Sequence, residues 1–522
     1  MREIYNKIIL FWQSLNGFAK ACLLVVLSAL FFGLAHTQDP LYSSNQHLYF
    51  LWGMAQAHIG YLNQDWLAKA ANPMPIFSWL VKITILYLRP WFFYCYQYLL
   101  FGLYVFCLIA ISQEVFPLKN KNTGSFLFFI ILTLISSKAL TLIVGKILGP
   151  AFIWQGFFEG GLAGQTIMGT YLQASSFGVL FLLSILLWLK GKKNWAASLA
   201  ILAGLIHFSY FFIGGWLILA IAFSDYRSSG KLWENIKYLL IFECILLLAF
   251  FWSVRPFLPT SLAISAAANN ILVFFRFPQH GDPRQWLTLF AWLKIWLMAF
   301  GLYLIRRHRL FVPMLILFIV VCASTTLAYL LHNATLGALF PWRISTVIEP
   351  VLTVLVIGKF LQLIFNSPAW ESLKKPALFL GLVLVFACCL FGALWMKSAP
   401  NLDVTVAQSQ FTSYVQANLK SGQLYLIPSG FDSFRLYSGA PTFVEFKTNP
   451  YRDVEVLEWY KRLTLTQDFE LASGPAKCSA LKKISASYPI TNIVTEANQP
   501  LLCPGATETY SNFSYRLYNY SF

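Results

Sequence analysis

The sequence predicts an all-α polytopic membrane protein of about eleven crossings, followed by a small soluble α/β domain at the C-terminus. Of its 522 residues, 58% are hydrophobic and only 11% are charged. Apolar runs of roughly eighteen residues or more, enough to cross a bilayer as a helix, recur along the first part of the chain. After Lys397 the composition becomes that of a soluble domain. We therefore expect a transmembrane domain at 1–397 and a separate domain at 398–522.

Basic residues between the apolar runs predict how the spans are oriented. The formal net charge of +17 is carried mainly by short loops, which is the pattern of cytoplasmic loops rather than of a nucleic-acid-binding surface. We predict a multi-pass protein of the inner (plasma) membrane with a cytoplasmic N-terminus and no nucleic-acid partner. The basic residues on which this orientation depends are Lys119, Lys121, Lys190, Lys192, Lys193, Arg227, Lys231, Lys237, Arg306, Arg307, Arg309, Lys374 and Lys375.

Two assignments of the membrane spans, which we call registers, fit the pattern of apolar segments. If all the basic loops are cytoplasmic, residues 195–223 form a hairpin of two short helices bent near 207–215, and residues 76–88 do not cross. In the second register, 76–88 crosses and 195–223 is one straight helix, which leaves five lysines outside. We prefer the first register. Both have an odd number of crossings, so both place the C-terminal domain on the extracytoplasmic side.

The domain at 398–522 mixes helical and strand-like segments. A helical stretch at 404–419 precedes the strand-like runs QLYLIP, PTFVEF, PITNIVTE and SYRLYNY, with a further helix around 455–463. Seven of the nine cysteines lie in apolar spans, and the other two, Cys478 and Cys503, lie in this domain. If the domain faces an oxidising compartment, these two can pair as a disulfide.

The first loop, residues 36–75, is too polar to cross the bilayer and too long to be a simple connection. It contains two carboxylates, Asp39 directly after the first span and Asp65 near its end. A carboxylate at a membrane surface is most often solvated or caps a helix. Held close to hydrocarbon, it can instead act as a general base. We interpret Asp39 as the candidate catalytic residue and Asp65 as the alternative.

Further polar residues fall on loops predicted to share the outer face. Two arginines beside a histidine could hold a phosphate, although arginines at span boundaries are commonly lipid anchors. The candidate substrate-binding residues are Glu159 in the loop 145–165, Arg276, His280, Asp282 and Arg284 in the loop 255–284, and Arg343 in the motif FPWR. We expect these groups to converge with the first loop on one cavity. No spacing indicates a metal site, and no nucleotide-binding or hydrolase motif has a supporting context.

This layout resembles the GT-C superfamily of membrane glycosyltransferases. The shared features are a first span followed at once by a long outer loop with an Asp (TQDP), many spans with short inner loops, and a soluble outer C-terminal domain. The resemblance implies a polyprenyl-phosphate-linked sugar donor in the membrane and an acidic catalytic residue in the first loop. Asp39 is the closest match to that residue and Asp65 the second. The sequence leaves the cofactor unknown, a divalent cation included.

Two other functions remain open from the sequence. A transporter or flippase of lipid-linked or amphipathic substrates should show an inverted repeat, broken helices and charges at the membrane midplane. We find no convincing repeat. A catalytically inactive membrane scaffold is the third interpretation. The concentration of polar groups on one face favours the glycosyltransferase.

Overall fold

A computed structural model describes residues 13–118, 121–149, 156–398 and 404–521. The long helices form one apolar core, and the C-terminal residues form a second unit with its own core. In chain order the longer helices are α1 (Gly17–His36), α2 (Pro75–Tyr87), α3 (Phe92–Val115), α4 (Lys121–Ile135), α5 (Lys138–Leu148), α6 (Val179–Leu189), α7 (Lys193–Ile206), α8 (Tyr210–Ser229), α9 (Leu232–Val254), α10 (Leu262–Asn270), α11 (Leu289–Leu304), α12 (Phe311–Leu331), α13 (Ser345–Phe365), α14 (Trp370–Ser398), α15 (Val406–Asn418), α16 (Asp453–Leu471) and α17 (Gly474–Ser485).

Six of the described helices are long and apolar enough to cross a membrane by length and composition alone. A seventh is added if α4 and α5, bent by 50° at their junction, are counted as one span. Shorter apolar helices such as α6, α7 and α11 also contribute buried side chains to the core, while α11 leaves Leu289 and Trp296 exposed. The chain is therefore that of an integral membrane protein.

Contacts between helix ends define one end of the bundle, which we call the basic end. There Lys190 pairs with Glu114, and Trp188 Nε1 donates to Asp225 Oδ1 at 2.9 Å. Ser224 Oγ donates to the carbonyl of Arg309 at 3.2 Å. These contacts join the ends of α3, α6, α8 and the α11–α12 connection, so most of the basic residues used to orient the chain lie together.

Contacts at the opposite end, which we call the polar end, bring together the long loops. His36 Nε2 lies 2.8 Å from Glu159 Oε1, and Gln97 Nε2 donates to the carbonyl of Gly169 at 2.7 Å. Lys294 Nζ donates to the carbonyl of Gly161 at 2.9 Å. Following the described residues from one end to the other gives eleven passes, namely α1, α3, α4, α6 to α9 and α11 to α14. The predicted fold class is confirmed.

The first register describes the helices correctly. The ideal Cβ position of Gly204 lies 2.6 Å from the Phe211 ring, and that of Gly214 lies 3.2 Å from the Ala200 carbonyl, so α7 and α8 form an antiparallel hairpin. Helix α2 does not cross, because Gln38, two residues after α1, donates through Nε2 to the carbonyl of Tyr94 at 3.0 Å. Helix α3 therefore begins at the polar end, where α1 ends. A bend at 207–209 thus returns the chain to the basic end.

The C-terminal unit is a four-stranded sheet with helices on both faces. Its strands are β1 (Tyr425–Leu426), β2 (Asn492–Glu496), β3 (Ala506–Ser511) and β4 (Tyr515–Tyr520), in the order β1-β2-β4-β3, with only the β1–β2 pair parallel. Trp459 of α16 packs on one face and Phe411 of α15 on the other. Cys478 and Cys503 form the disulfide expected from the sequence, with 5.3 Å between their Cα atoms.

Candidate functional site

Asp39 lies at the polar end, three residues after the last residue of α1. Its backbone N–H donates to the carbonyl of Thr170 at 2.7 Å, and the Thr170 hydroxyl donates to Oδ2 of the carboxylate. The other oxygen, Oδ1, makes no hydrogen bond within the described residues, and the side chain is half-buried. The carboxylate is therefore held by one oxygen, and the other remains available to a ligand.

The backbone around this carboxylate is strained. Thr37, Tyr42 and Ser44 have φ values of 72°, 63° and 48°, which L-residues other than Asn and Asp rarely adopt. Gln46 holds this conformation, because its Oε1 accepts the Tyr42 N–H at 2.7 Å and its Nε2 donates to the carbonyl of Leu172 at 2.9 Å. The first loop is thereby fixed against the segment that carries Thr170, and strain of this kind is concentrated at functional sites.

Arg343 lies at the entry to α13, facing the bend between α7 and α8. Its Nη1 donates to the hydroxyl of Ser209 and lies 3.5 Å from Nε2 of His207. Because a guanidinium can only donate, Nε2 of that histidine is the acceptor, and Nδ1, 2.9 Å from the Ser209 hydroxyl, carries the proton. The ring of Tyr49 from the first loop lies 6.3 Å from the same histidine.

His280 is held in one tautomer by the backbone. Its Nδ1 lies 2.6 Å from the carbonyl of Ala163, which cannot donate, so Nδ1 carries the hydrogen and Nε2 keeps its lone pair. Burial lowers the pKa of His280, and the cations Arg343, Arg276 and Lys447 lower it further, while the bond to Ala163 opposes them. The neutral imidazole is the stable form at neutral pH.

Arg276 joins the membrane helices to the C-terminal unit. Its Nη2 donates to the carbonyl of Lys447, and its guanidinium carbon lies 4.9 Å from the centre of the Phe446 ring. Burial lowers the pKa of Arg276, and its Nε is buried without a hydrogen-bond partner. A buried donor of a charged group left unpaired costs roughly 1–3 kcal/mol or more, so this site is built to receive an acceptor.

Arg276, Arg343 and Lys447 all act electrostatically on His280, which places the three cations around one histidine. We call these three residues the cation cluster. Tyr451 and Tyr49 adjoin the cluster, since Tyr451 interacts with Tyr49, Arg276 and Arg343. Within the described residues none of the three cations has a carboxylate at ion-pair distance. Burial lowers the pKa of Arg276, and the carboxylate of Asp432 opposes this shift without forming an ion pair with the guanidinium. The cluster therefore has an excess of positive charge that a bound anion can neutralise.

A tyrosine links the cation cluster to the candidate base. Tyr171 interacts electrostatically with both Asp39 and Tyr49, and its hydroxyl donates to Ser44 Oγ at 3.1 Å. Tyr171 and Tyr49 thus lie between Asp39 and Arg343 as a series of interacting side chains at the polar end. This arrangement suits a reaction in which one group loses a proton while an anion forms opposite it.

Asp65 lies apart from this region and has no exposed surface. Its Oδ2 pairs with Arg435 Nε at 3.0 Å and accepts the Thr442 N–H at 2.8 Å. Its Oδ1 accepts the N–H of Leu67 at 2.8 Å. These bonds fasten the first loop to the C-terminal unit, and no carboxylate surface is left for a substrate.

The remaining sequence candidates lie at different places. Glu159 is buried and paired with His36, and it lies four residues before Ala163 in the same loop. Asp282 is buried and caps the short helix Pro283–Trp286 through the Arg284 N–H at 3.0 Å. Arg284 is exposed and donates to the carbonyl of Tyr329 at 3.2 and 3.3 Å. The structure therefore gathers Arg276, His280 and Arg343 but not Asp282 or Arg284.

No group of three or more His, Cys, Asp or Glu side chains is positioned to hold a metal ion in the described part of the chain.

The comparisons with known proteins address the fold. Residues 407–465, from α15 through most of α16, match a family described as a domain of unknown function (DUF6798). No curated protein matches the sequence. The crystal structure of ArnT from Cupriavidus metallidurans bound to undecaprenyl phosphate matches with a TM-score of 0.50 and 11% identity, over 97% of this chain and 98% of that chain. The chain therefore has an ArnT-like fold.

Several residues of the candidate site carry no signal in the sequence. Lys447 is 171 positions from Arg276, and nothing in the surrounding sequence connects them. Thr170 follows a glycine-rich loop, and only the fold shows that its hydroxyl meets Asp39. Tyr49 and Tyr451 are two of 25 tyrosines, so residue type alone could not select them. Only the packing of the C-terminal unit on the first loop identifies these positions.

Proposed function

We propose that this protein is a glycosyltransferase that moves a sugar from a polyprenyl-phosphate donor to an acceptor at the outer membrane face. The GT-C-like fold supports this class of reaction. ArnT, whose structure is similar, was crystallised with undecaprenyl phosphate. The observation that carries the proposal is the cation cluster, in which three cations surround His280 and the buried Nε of Arg276 has no hydrogen-bond partner.

In this proposal the cation cluster holds the donor phosphate. Arg276 and Arg343 can each present two N–H groups to phosphate oxygens, and Lys447 adds a point charge. The buried, unpartnered Nε of Arg276 would gain the acceptor that it lacks. The negative charge of the phosphate grows as the sugar leaves, so fixed cations stabilise the transition state more than the ground state.

Asp39 is the proposed general base. The acceptor hydroxyl gives its proton to Oδ1 while its oxygen bonds to the anomeric carbon, and the bond between that carbon and the phosphate oxygen breaks with its electron pair on the phosphate. Thr170 keeps Oδ2 in place during the transfer. Pro40 favours an extended backbone at Asp39, which keeps the side chain out of a helix. Asp65, Asp282 and Arg284 have no part in this mechanism, and Glu159 supports the loop behind it.

The orientation proposed is that the basic end is cytoplasmic and the polar end extracytoplasmic. Lys190 and Arg309 lie together at the basic end, as the positive-inside bias requires of cytoplasmic loops. The Cys478–Cys503 disulfide supports the assignment, because disulfides persist in oxidising compartments. This orientation makes α1 run outward and places residues 404–521 outside an inner (plasma) membrane.

Binding of undecaprenyl phosphate to the purified full-length protein tests the anion site. Arg276→Ala and Arg343→Ala should each weaken binding about 10- to 100-fold, since a hydrogen bond to a charged group contributes about 1.5–3 kcal/mol. Arg284→Ala is the matched control and should bind as the wild type does, because Arg284 lies at the exposed Tyr329 carbonyl. Equal binding by all three variants would exclude the cation cluster as the phosphate site.

A further inference from the structure

A basic pocket lies at the polar end, outside the site described above. It has a volume of about 600 Å³ and is formed by the first loop, the segment after α9 and the start of α16. Its lining includes Lys69, Arg255, Arg452 and Glu455. We call it the rim pocket. Neither the proposed base nor any residue of the cation cluster lines it.

The walls of the rim pocket are fixed to one another. Both oxygens of Glu455 accept the N–H of Ala71, at 3.2 and 3.3 Å, which joins the first loop to α16. Asp453 accepts the N–H and the hydroxyl of Thr260, at 2.7 and 2.8 Å, which joins the segment after α9 to the same helix. The pocket is therefore formed before any ligand binds.

Three cations from three distant parts of the sequence meet at this pocket. Lys69, Arg255 and Arg452 are exposed, and none forms an ion pair with a carboxylate of the described residues. The carboxylates of Glu455 and Asp453 are already engaged by the wall contacts. Like charges on one pocket repel one another unless an anion is shared between them, and two arginines can bind phosphate oxygens bidentately.

The rim of the pocket adjoins the end of α9, one of the helices that are long and apolar enough to cross a membrane. Helix α9 ends at Val254, and its last turn exposes Phe251 and Trp252 at 60% and 59%, as aromatic residues do at a bilayer interface. Beyond the span, Leu258 and Leu262 are 57% and 88% exposed. A ligand here would therefore combine an anionic group for the cations with an apolar part beside these side chains.

We propose that the rim pocket binds the phosphate headgroup of an anionic membrane lipid. The acyl chains then lie along α9, and the headgroup bridges the first loop to the C-terminal unit. Basic pockets at membrane-helix ends recognise lipid headgroups by this chemistry. The inference goes beyond the proposed function, because it requires neither Asp39 nor a sugar donor.

Lipid binding by the full-length protein tests the rim pocket. Phosphatidylglycerol binding is measured by native mass spectrometry from nanodiscs that contain phosphatidylglycerol and phosphatidylcholine. The triple variant Lys69→Ala, Arg255→Ala, Arg452→Ala should bind phosphatidylglycerol roughly 100-fold more weakly, since each basic residue near an anionic surface contributes about 1 kcal/mol. The matched control is Lys420→Ala, Lys482→Ala, Lys483→Ala, which removes the same charge from exposed positions of the C-terminal unit away from the pocket. It should bind as the wild type does.

Each outcome decides the proposal. Selective loss in the first triple variant supports the rim pocket, and equal binding by both triple variants overturns it. Inorganic phosphate is the probe for a soluble ligand. If it binds as tightly as phosphatidylglycerol, the ligand is a soluble anion and the lipid proposal is wrong. Undecaprenyl phosphate binding is measured in parallel and should stay at the wild-type level. The two binding measurements therefore test the lipid-binding proposal for the rim pocket separately from the phosphate-binding proposal for the cation cluster.

Discussion

At the scale of single residues, the structure separates the two carboxylates of the first loop, which the sequence could only rank. Both are aspartates beside a membrane, and the difference lies in what surrounds them. Asp65 meets Arg435 in the C-terminal unit, 370 positions later, whereas one oxygen of Asp39 is left open. The sequence placed Asp39 correctly after the first span because spans are readable from composition. It could not show the partner of Asp65, because that pairing depends on the packing of two units.

The buried group around Arg435 gives a pH dependence of stability. Burial raises the pKa of Glu445 from 4.5 to about 8, although Arg435 opposes the shift. Between these two pH values the folded protein holds a proton that the unfolded chain has lost. Stability should therefore fall as pH rises from about 4.5 to about 8. Thermal unfolding of the wild type and Glu445→Gln across this range measures the effect, which should be absent in the variant.

The matched control for that measurement is Glu234→Gln, an exposed position at the basic end paired with Lys231. It should keep the wild-type pH dependence. If Glu445→Gln also keeps it, Glu445 is not the titrating group.

At the scale of elements, the charge pattern predicted the α7–α8 hairpin because lysines lie at both of its ends and the polar bend lies between them. Helix α10 shows the limit of that method. It is apolar enough to resemble part of a span, yet Ala268 and the adjoining Leu272 pack on Val456 of α16. An apolar helix that covers a soluble unit and one that faces lipid have similar composition.

Close helix contacts at glycine make a prediction at this scale. A Cβ on Gly392 of α14 would lie 1.8 Å from the backbone oxygen of Leu34 in α1, and backbone cannot move aside as a side chain can. Gly392→Ala should lower the free energy of unfolding by about 1–3 kcal/mol or more. Thermal unfolding in detergent measures the change.

The matched control is Gly145→Ala in α5, where the added Cβ meets nothing within 4 Å. Alanine is the better helix former, so this variant should be neutral or slightly stabilised. A loss of stability in the control equal to that of Gly392→Ala would show that the α1–α14 contact is not the cause.

At the scale of the whole molecule, the basic loops and the polar loops occupy opposite ends of an eleven-pass bundle. The alternation of apolar and basic segments predicted this separation. It could not predict which outer loops contact one another, because the loops at 156–170, 255–287 and 332–345 are brought together by helix packing. Arg276 and Arg284, eight positions apart, show this, since only the former enters the cation cluster.

The proposed orientation predicts which end of the molecule is accessible from outside. Lys483→Cys in the C-terminal unit should react with a membrane-impermeant thiol reagent in right-side-out vesicles, because α17 lies at the polar end. Lys192→Cys, at the basic end, should react only after the membrane is permeabilised. The reverse labelling pattern would show that the protein has the opposite orientation and that the proposed site is not extracytoplasmic.

The central claim is that Asp39 accepts the proton of the acceptor during sugar transfer, and its most direct test is Asp39→Asn. The assay follows the release of polyprenyl phosphate from polyprenyl-phosphate-linked sugars. The variant should lose about 10²- to 10⁴-fold in rate, the usual contribution of a positioned general base, while undecaprenyl phosphate binding stays unchanged. Asp468→Asn, at an exposed position of α16, should retain the full rate. Full activity in Asp39→Asn would contradict the mechanism and assign the proton transfer to another group.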